Sequence, residues 1–125
     1  TLHTQDAPQS IDRIIDVFPT FQQQQVRLQL SSTVQAIVTQ QLVPTKDRRA
    51  RVPAVEIMIA TAAIRNMIRD AKVHQIYSAM QAGGQLRMQT MDASLAALYR
   101  AGQITYEIGL ARAHNKDDFR RLVGR

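Results

Sequence analysis

Apolar positions recur at helical spacing along most of this chain and change to a short β-branched run only near its middle. Ala7, Ile11, Ile14, Ile15 and Phe18 fall on one helical face, and Pro19 ends the run. Asp6 stands where its carboxylate can cap the free amides of that helix, with Gln9 three residues on. A second box, Thr20 with Gln23, predicts the next helix start, and Val26, Leu30, Val34 and Ile37 form its inward stripe. Ile37–Val43 is β-branched and short, stops at Pro44, and is followed after a polar loop by Val52–Ile59. The two runs predict an antiparallel pair, with Pro53 at an edge or strand start because it has no amide hydrogen to donate.

Beyond Thr61 the pattern is helical to the end. Thr61 predicts the cap of a helix reaching about Ala71, and a short helix follows from about His74 to Ala82. Gly83-Gly84 predicts a break through the positive φ that glycine tolerates at helix ends. Thr90–Ala101 reads as a helix with Met91, Leu95 and Leu98 inward and Gly102 as its stop. Thr105 and Asn115 predict the caps of two more, the last carrying Phe119, Leu122 and Val123. The expected fold is α/β but helix-dominated, with about seven helices and one β-hairpin.

Composition narrows the class. The chain has 125 residues, 45% hydrophobic and 21% charged, which argues for a globular domain or a piece of one rather than disorder. It has no cysteine, so disulfides and thiolate zinc sites are excluded. No apolar run approaches a membrane span, and Thr1–Asp6 has neither the basic start nor the apolar core of a signal peptide, leaving a cytosolic or peripheral protein. The net charge of +6 is concentrated: seven basic and three acidic residues lie between Lys46 and Lys72. Such a tract is either a solvated face or an anion-attracting one. No aromatic residue interleaves with it, so nucleic acid is not the expected partner.

Several chemistries are missing. None of the five glycines opens a Lys-Ser or Lys-Thr loop that could cradle phosphate, there is no GxSxG or HExxH, and His3, His74 and His114 lack metal-ligand spacing. No metal site is expected, and the chain alone does not read as a complete enzyme. Two places stand out. His3, just ahead of a helix start, is either a surface histidine or one placed near free amides for anion chemistry. In Ala63–Asp70, Ile64, Met67, Ile68 and Ala71 share one face while Arg65, Asn66, Arg69 and Asp70 share the other. Arg65 and Arg69 are a like-charge pair four apart, so either the face is simply wet or something outside the helix holds them. Met80, Met88 and Met91 read as gap-filling core residues, and His74 and His114 as helix-terminal residues without a role.

Leu2-His3-Thr4 followed by Ile11–Pro19 resembles the histidine box and next helix of the type IV pilus retraction ATPases, the twitching-motility motors. Ala63–Asp70 is similar to that family's AIRNLIRE helix, with Met67 for leucine and Asp70 for glutamate, one methylene shorter. Gln89–Asp92 and Ala111–His114 look like its C-terminal helices, and the likeness runs in order through the chain. Relatives in the secretion and pilus-extension branch mostly carry a four-cysteine module, which this sequence lacks.

The resemblance implies the C-terminal part of a RecA-like P-loop ATPase, hexameric and using ATP and Mg2+ when whole. It further implies a cytoplasmic motor peripheral to the inner membrane that works with the pilus platform protein there. In that family the phosphate-binding loop precedes the histidine box, so no cofactor is expected on these residues alone. It also implies that residues 1–60 close the ATPase core and 61–125 form a helical region. His3 would then lie near the γ-phosphate, Arg65, Asn66, Arg69 and Asp70 in the helix required for retraction, and Arg13 in a structural or intersubunit role. The loop Lys46–Arg51 departs from the family's glycine-containing turn. The alternatives are a basic helical module binding nucleic acid or an anionic surface, and a fragment of another secretion ATPase. Without its upstream strands such a piece is expected to expose a sheet edge and apolar helix faces, and so to be weakly stable or to self-associate.

Overall fold

Short polar side chains set most of the helix starts. In the computed structural model, which describes residues 1–125, α1 spans Ala7–Asp16 and opens on Asp6, whose carboxylate accepts from the Gln9 amide at 2.8 Å. Thr61 opens α3 (Ala62–Arg69), Thr90 opens α5 (Met91–Arg100), Thr105 opens α6 (Tyr106–Arg112) and Asn115 opens α7 (Lys116–Val123), each accepting an amide of the first turn. Between them lie α2 (Thr20–Thr33), the strands β1 (Ala36–Pro44) and β2 (Arg51–Ile59), and α4 (Ile76–Ala82). Single 3-10 turns at Val73–Gln75 and Gly84–Leu86 flank α4. The helix-dominated α/β architecture with one hairpin is as expected.

β1 and β2 pair antiparallel from Ala36 opposite Ile59 to Pro44 opposite Arg51. Pro53 faces Leu42 on a two-stranded sheet, where every strand is an edge and its missing amide hydrogen is tolerated. The far edge of β2 is closed locally by Gln89, which exchanges both backbone hydrogen bonds with Ile57 and donates its side-chain amide to the Val55 carbonyl at 2.6 Å.

Two apolar cores meet at β2. Ala7, Ile11 and Ile15 of α1 pack with Met58, Ile64, Ile68, Val73, Ile76, Met80 and Met88. Val26 and Leu30 of α2 pack against this cluster as the helical stripe predicts, but α2 ends at Thr33, so Val34 reaches it from the extended C-cap and Ile37 from β1. Val43 and Ala54 pack with Met91, Leu95, Ala96, Ile104, Ile108 and Phe119 in the second. The three methionines fill core positions, Met80 and Met88 in the first cluster and Met91 in the second.

Four local expectations need correction. Thr20 does not cap α2. Pro19, at φ −57, already has a helical φ and takes the cap position, and the Gln23 side chain donates backward to the Phe18 carbonyl. Gly83 is needed for room rather than for a positive φ: its φ is −93, and a Cβ there would collide with the Met88 side chain. The left-handed residue of this break is Arg87. Phe18 is turned outward and 39% exposed, because α1 has ended and Pro19 redirects the chain. Ala71 is exposed because α3 stops at Arg69 and Ala71 takes a positive φ. Val17 and Phe21 are also strongly exposed, so an apolar patch surrounds the α1–α2 corner.

Candidate functional site

His3 lies in an irregular segment, Thr1–Thr4, that forms no strand, because neither β1 nor β2 pairs with it. The imidazole is exposed and borders an open pocket of about 730 Å3 with Thr39, Gln40, Leu42 and Arg112 among its walls. Arg112 is steadied there by a hydrogen bond to the Leu42 carbonyl at 3.4 Å. The Thr39 hydroxyl is buried without a partner, an arrangement that costs about 1–3 kcal/mol unless a ligand or water completes it. Imidazole and guanidinium suit an anionic oxygen such as a phosphoryl group, while the Thr39 hydroxyl is enclosed on the buried side of β1. No group of three His, Asp or Glu side chains is gathered here or elsewhere in the chain.

The helix that follows the His3 segment starts against buried carboxylates that do not stand out in the sequence. Glu56, fully buried on the inner face of β2 between Ala54 and Met58, accepts from the Ala7 amide at 2.7 Å and the Met91 amide at 3.0 Å. These are the first residues of α1 and α5, so one carboxylate answers two helix N-termini at once. Burial pushes the Glu56 carboxyl above its ordinary value, with the two amides and His114 opposing and Asp6 adding to the rise. Asp92, also fully buried, accepts from the Tyr77 hydroxyl at 2.8 Å and from the amides of His114 and Asn115 at 2.7 and 3.0 Å. Burial, then the Asp92 contact, raises the Tyr77 phenol well above its usual range. His114 Nδ1 lies 3.4 Å from the Asp6 carboxylate, and its ring packs on Tyr77 with centroids 4.9 Å apart. His114, read as a bare helix-end histidine, thus joins the cap of α1 to the start of α7. One signal was available: Glu56 occupies an inward position of an otherwise apolar alternation.

The α3 residues divide. Arg65 reaches across to α2 and donates to the Ser31 carbonyl at 2.9 Å. Arg69 turns along its own helix, donating to Asn66 Oδ1 at 2.6 Å and lying 3.6 Å from the Asp70 carboxylate. The polar face is therefore an exposed trio of Asn66, Arg69 and Asp70 beside an arginine committed to the neighbouring helix. Arg13 is exposed on α1 and its side chain pairs with nothing. His3 and α3 share neither a pocket nor a hydrogen bond.

No protein-family model matches the chain. It is 45% identical over 117 residues to a twitching motility protein of Neisseria gonorrhoeae, covering 94% of this chain and 31% of that one. Against the type IV pilus retractation ATPase PilT of Pseudomonas aeruginosa the identity is 46% over 119 residues, covering 95% and 34%. The crystal structure of the pilus retraction motor PilT with bound ADP superposes with a TM-score of 0.83 at 42% identity, covering 97% of this chain and 33% of that one. The chain is related to the pilus retraction ATPases. Its architecture corresponds to their C-terminal part, and it spans about a third of the length of the relatives it matches. The ATPase DotB of Legionella pneumophila shares the fold at a TM-score of 0.70 but only 22% identity. No helix here is long and apolar enough to cross a membrane.

Proposed function

We propose that this chain works as the C-terminal part of a hexameric ATPase motor that powers type IV pilus retraction. The observation that carries the reading is the match to the retraction motor PilT over 97% of the chain at a TM-score of 0.83. On this reading ATP and Mg2+ are bound by the whole protein, chiefly through a phosphate-binding loop that these residues do not contain. Residues 1–60 close the nucleotide-binding core, and 61–125 form the helical region that carries force.

His3 faces the γ-phosphate, supported by Arg112, which shares its pocket. Glu56 and Asp6 fix the start of α1, four residues beyond His3. Arg65, Asn66, Arg69 and Asp70 form the retraction face, and Arg13, unpaired and exposed, serves between subunits. The motor sits on the cytoplasmic side of the inner membrane against the pilus platform protein.

The test is made in the full-length protein. His3→Ala lowers ATP hydrolysis, whereas Arg65→Ala leaves hydrolysis closer to wild type and abolishes retraction. Wild-type hydrolysis and retraction in both variants would remove the reading.

A further inference from the structure

Lys46, Arg48, Arg49 and Arg51 crowd the turn between β1 and β2 with a single acid, Asp47, and every residue from Lys46 to Arg51 is exposed. Elsewhere most arginines are used within the chain: Arg65 on Ser31, Arg100 on the Leu122 carbonyl, Arg120 on Asp117, Arg121 on Asp118. In the turn none of the four cationic side chains makes a hydrogen bond or an ion pair. Asp47 does not neutralise them. Its Oδ1 accepts from the Thr45 hydroxyl at 2.7 Å and the Arg49 amide at 3.0 Å, and these bonds hold its carboxyl below the usual range as a brace for the loop.

The turn is also stiff. The Thr45 amide donates to the Ala50 carbonyl at 3.0 Å, and the Lys46 amide donates to the Gln103 carbonyl at 2.9 Å, tying the tip to the α5–α6 connection. Charges held on a fixed backbone lose less conformational freedom when a ligand arrives. Arg48 stands at φ 60, in the left-handed region where glycine sits without strain and other residues do not. A guanidinium is thus kept at a position where the backbone favours having no side chain. Arg48, Arg49 and Arg51 border one shallow depression of about 450 Å3 with Pro44 and Ala50. Guanidinium forks match phosphate oxygens in pairs, and the turn has no aromatic ring on which a base could stack.

We propose that the turn Lys46–Arg51 is a phosphate-binding site, taking the phosphoryl groups either of phospholipid headgroups or of a free polyphosphate. It is independent of the motor reading and of the His3 pocket. The test uses full-length protein, with the turn variants below as the blank that separates this site from any nucleotide site elsewhere. One arm measures sedimentation with vesicles of phosphatidylcholine alone and with added phosphatidylglycerol; the other titrates inorganic tripolyphosphate by calorimetry.

Replacing Arg48→Gly, Arg49→Ser and Arg51→Ser together weakens binding on the order of a hundredfold. Arg48→Gly alone weakens it roughly fivefold while leaving the melting temperature unchanged or higher, which a merely structural arginine would not do. Binding to phosphatidylglycerol vesicles without tripolyphosphate binding identifies the headgroup as the source, the reverse identifies free polyphosphate, and binding in both arms supports the shared chemistry. Absence of binding in both arms, equal binding to the two vesicle types with no tripolyphosphate binding, or undiminished binding by the triple variant would overturn it.

Discussion

The amide of Ala7 donates to Glu56 Oε2 across 49 residues of sequence, at 2.7 Å and in full burial. The same carboxylate takes the Met91 amide on its other oxygen. Glu56→Ala therefore strands two buried donors, each costing about 1–3 kcal/mol, and lowers stability by about 3 kcal/mol in urea unfolding. Glu56→Gln, which keeps one acceptor oxygen, falls between this variant and wild type.

Glu56 also predicts a pH dependence. Its folded value lies above its unfolded one, so within that window the folded chain holds more proton than the unfolded chain. Its contribution to stability is full below the ordinary glutamate value, declines as pH rises through the raised folded value, and is flat beyond. The difference in unfolding free energy between wild type and Glu56→Gln, followed from acid to neutral pH, shows this decline; a rise over the same window would contradict it.

Gly109 lies under the Phe119 ring, where an added Cβ would come within 2.5 Å of its tip. Phe119 is fully buried and its ring cannot swing aside. Overpacking of about 1–3 kcal/mol outweighs the gain of about 1 kcal/mol from a better helix former, so Gly109→Ala lowers the melting temperature. Gly84→Ala meets nothing within 4 Å and serves as a neutral control in the same melts.

Thr61→Ala removes the hydroxyl that accepts the Ile64 amide at the start of α3. The expected cost is about 1 kcal/mol. Hydrogen exchange quickens first at the α3 amides, ahead of those in α5.

Tyr77 resists ionisation in an absorbance titration, because it is partly buried and donates to a fully buried carboxylate. Tyr77→Phe removes that late step.

Much of this was legible in the sequence because caps and apolar stripes are short-range. Asp6, Thr61, Thr105 and Asn115 act on amides two or three residues ahead, and each opens the helix it was expected to open. Thr20 misled because Thr-x-x-Gln before an apolar run says nothing of the proline ahead of it. The φ argument misses Gly83 because the turn Gly84–Leu86 folds Met88 back onto it, and the Met88 amide donates to the Gly83 carbonyl. Among the candidates, His3 and the α3 face stand out in local motifs. Glu56, Asp92 and His114 do not, since a buried carboxylate is defined by partners 15 to 49 residues distant.

The apolar halves of this molecule meet along β2, and at that seam stands a carboxyl instead of a methyl group. Greasy surfaces can slide past one another by small steps, each exchanging one weak contact for the next. A carboxylate gripping two helix ends has no half-released position of comparable energy. Displacement of α1 against α5 must therefore proceed as a discrete jump between latched and unlatched arrangements, not as a smooth drift.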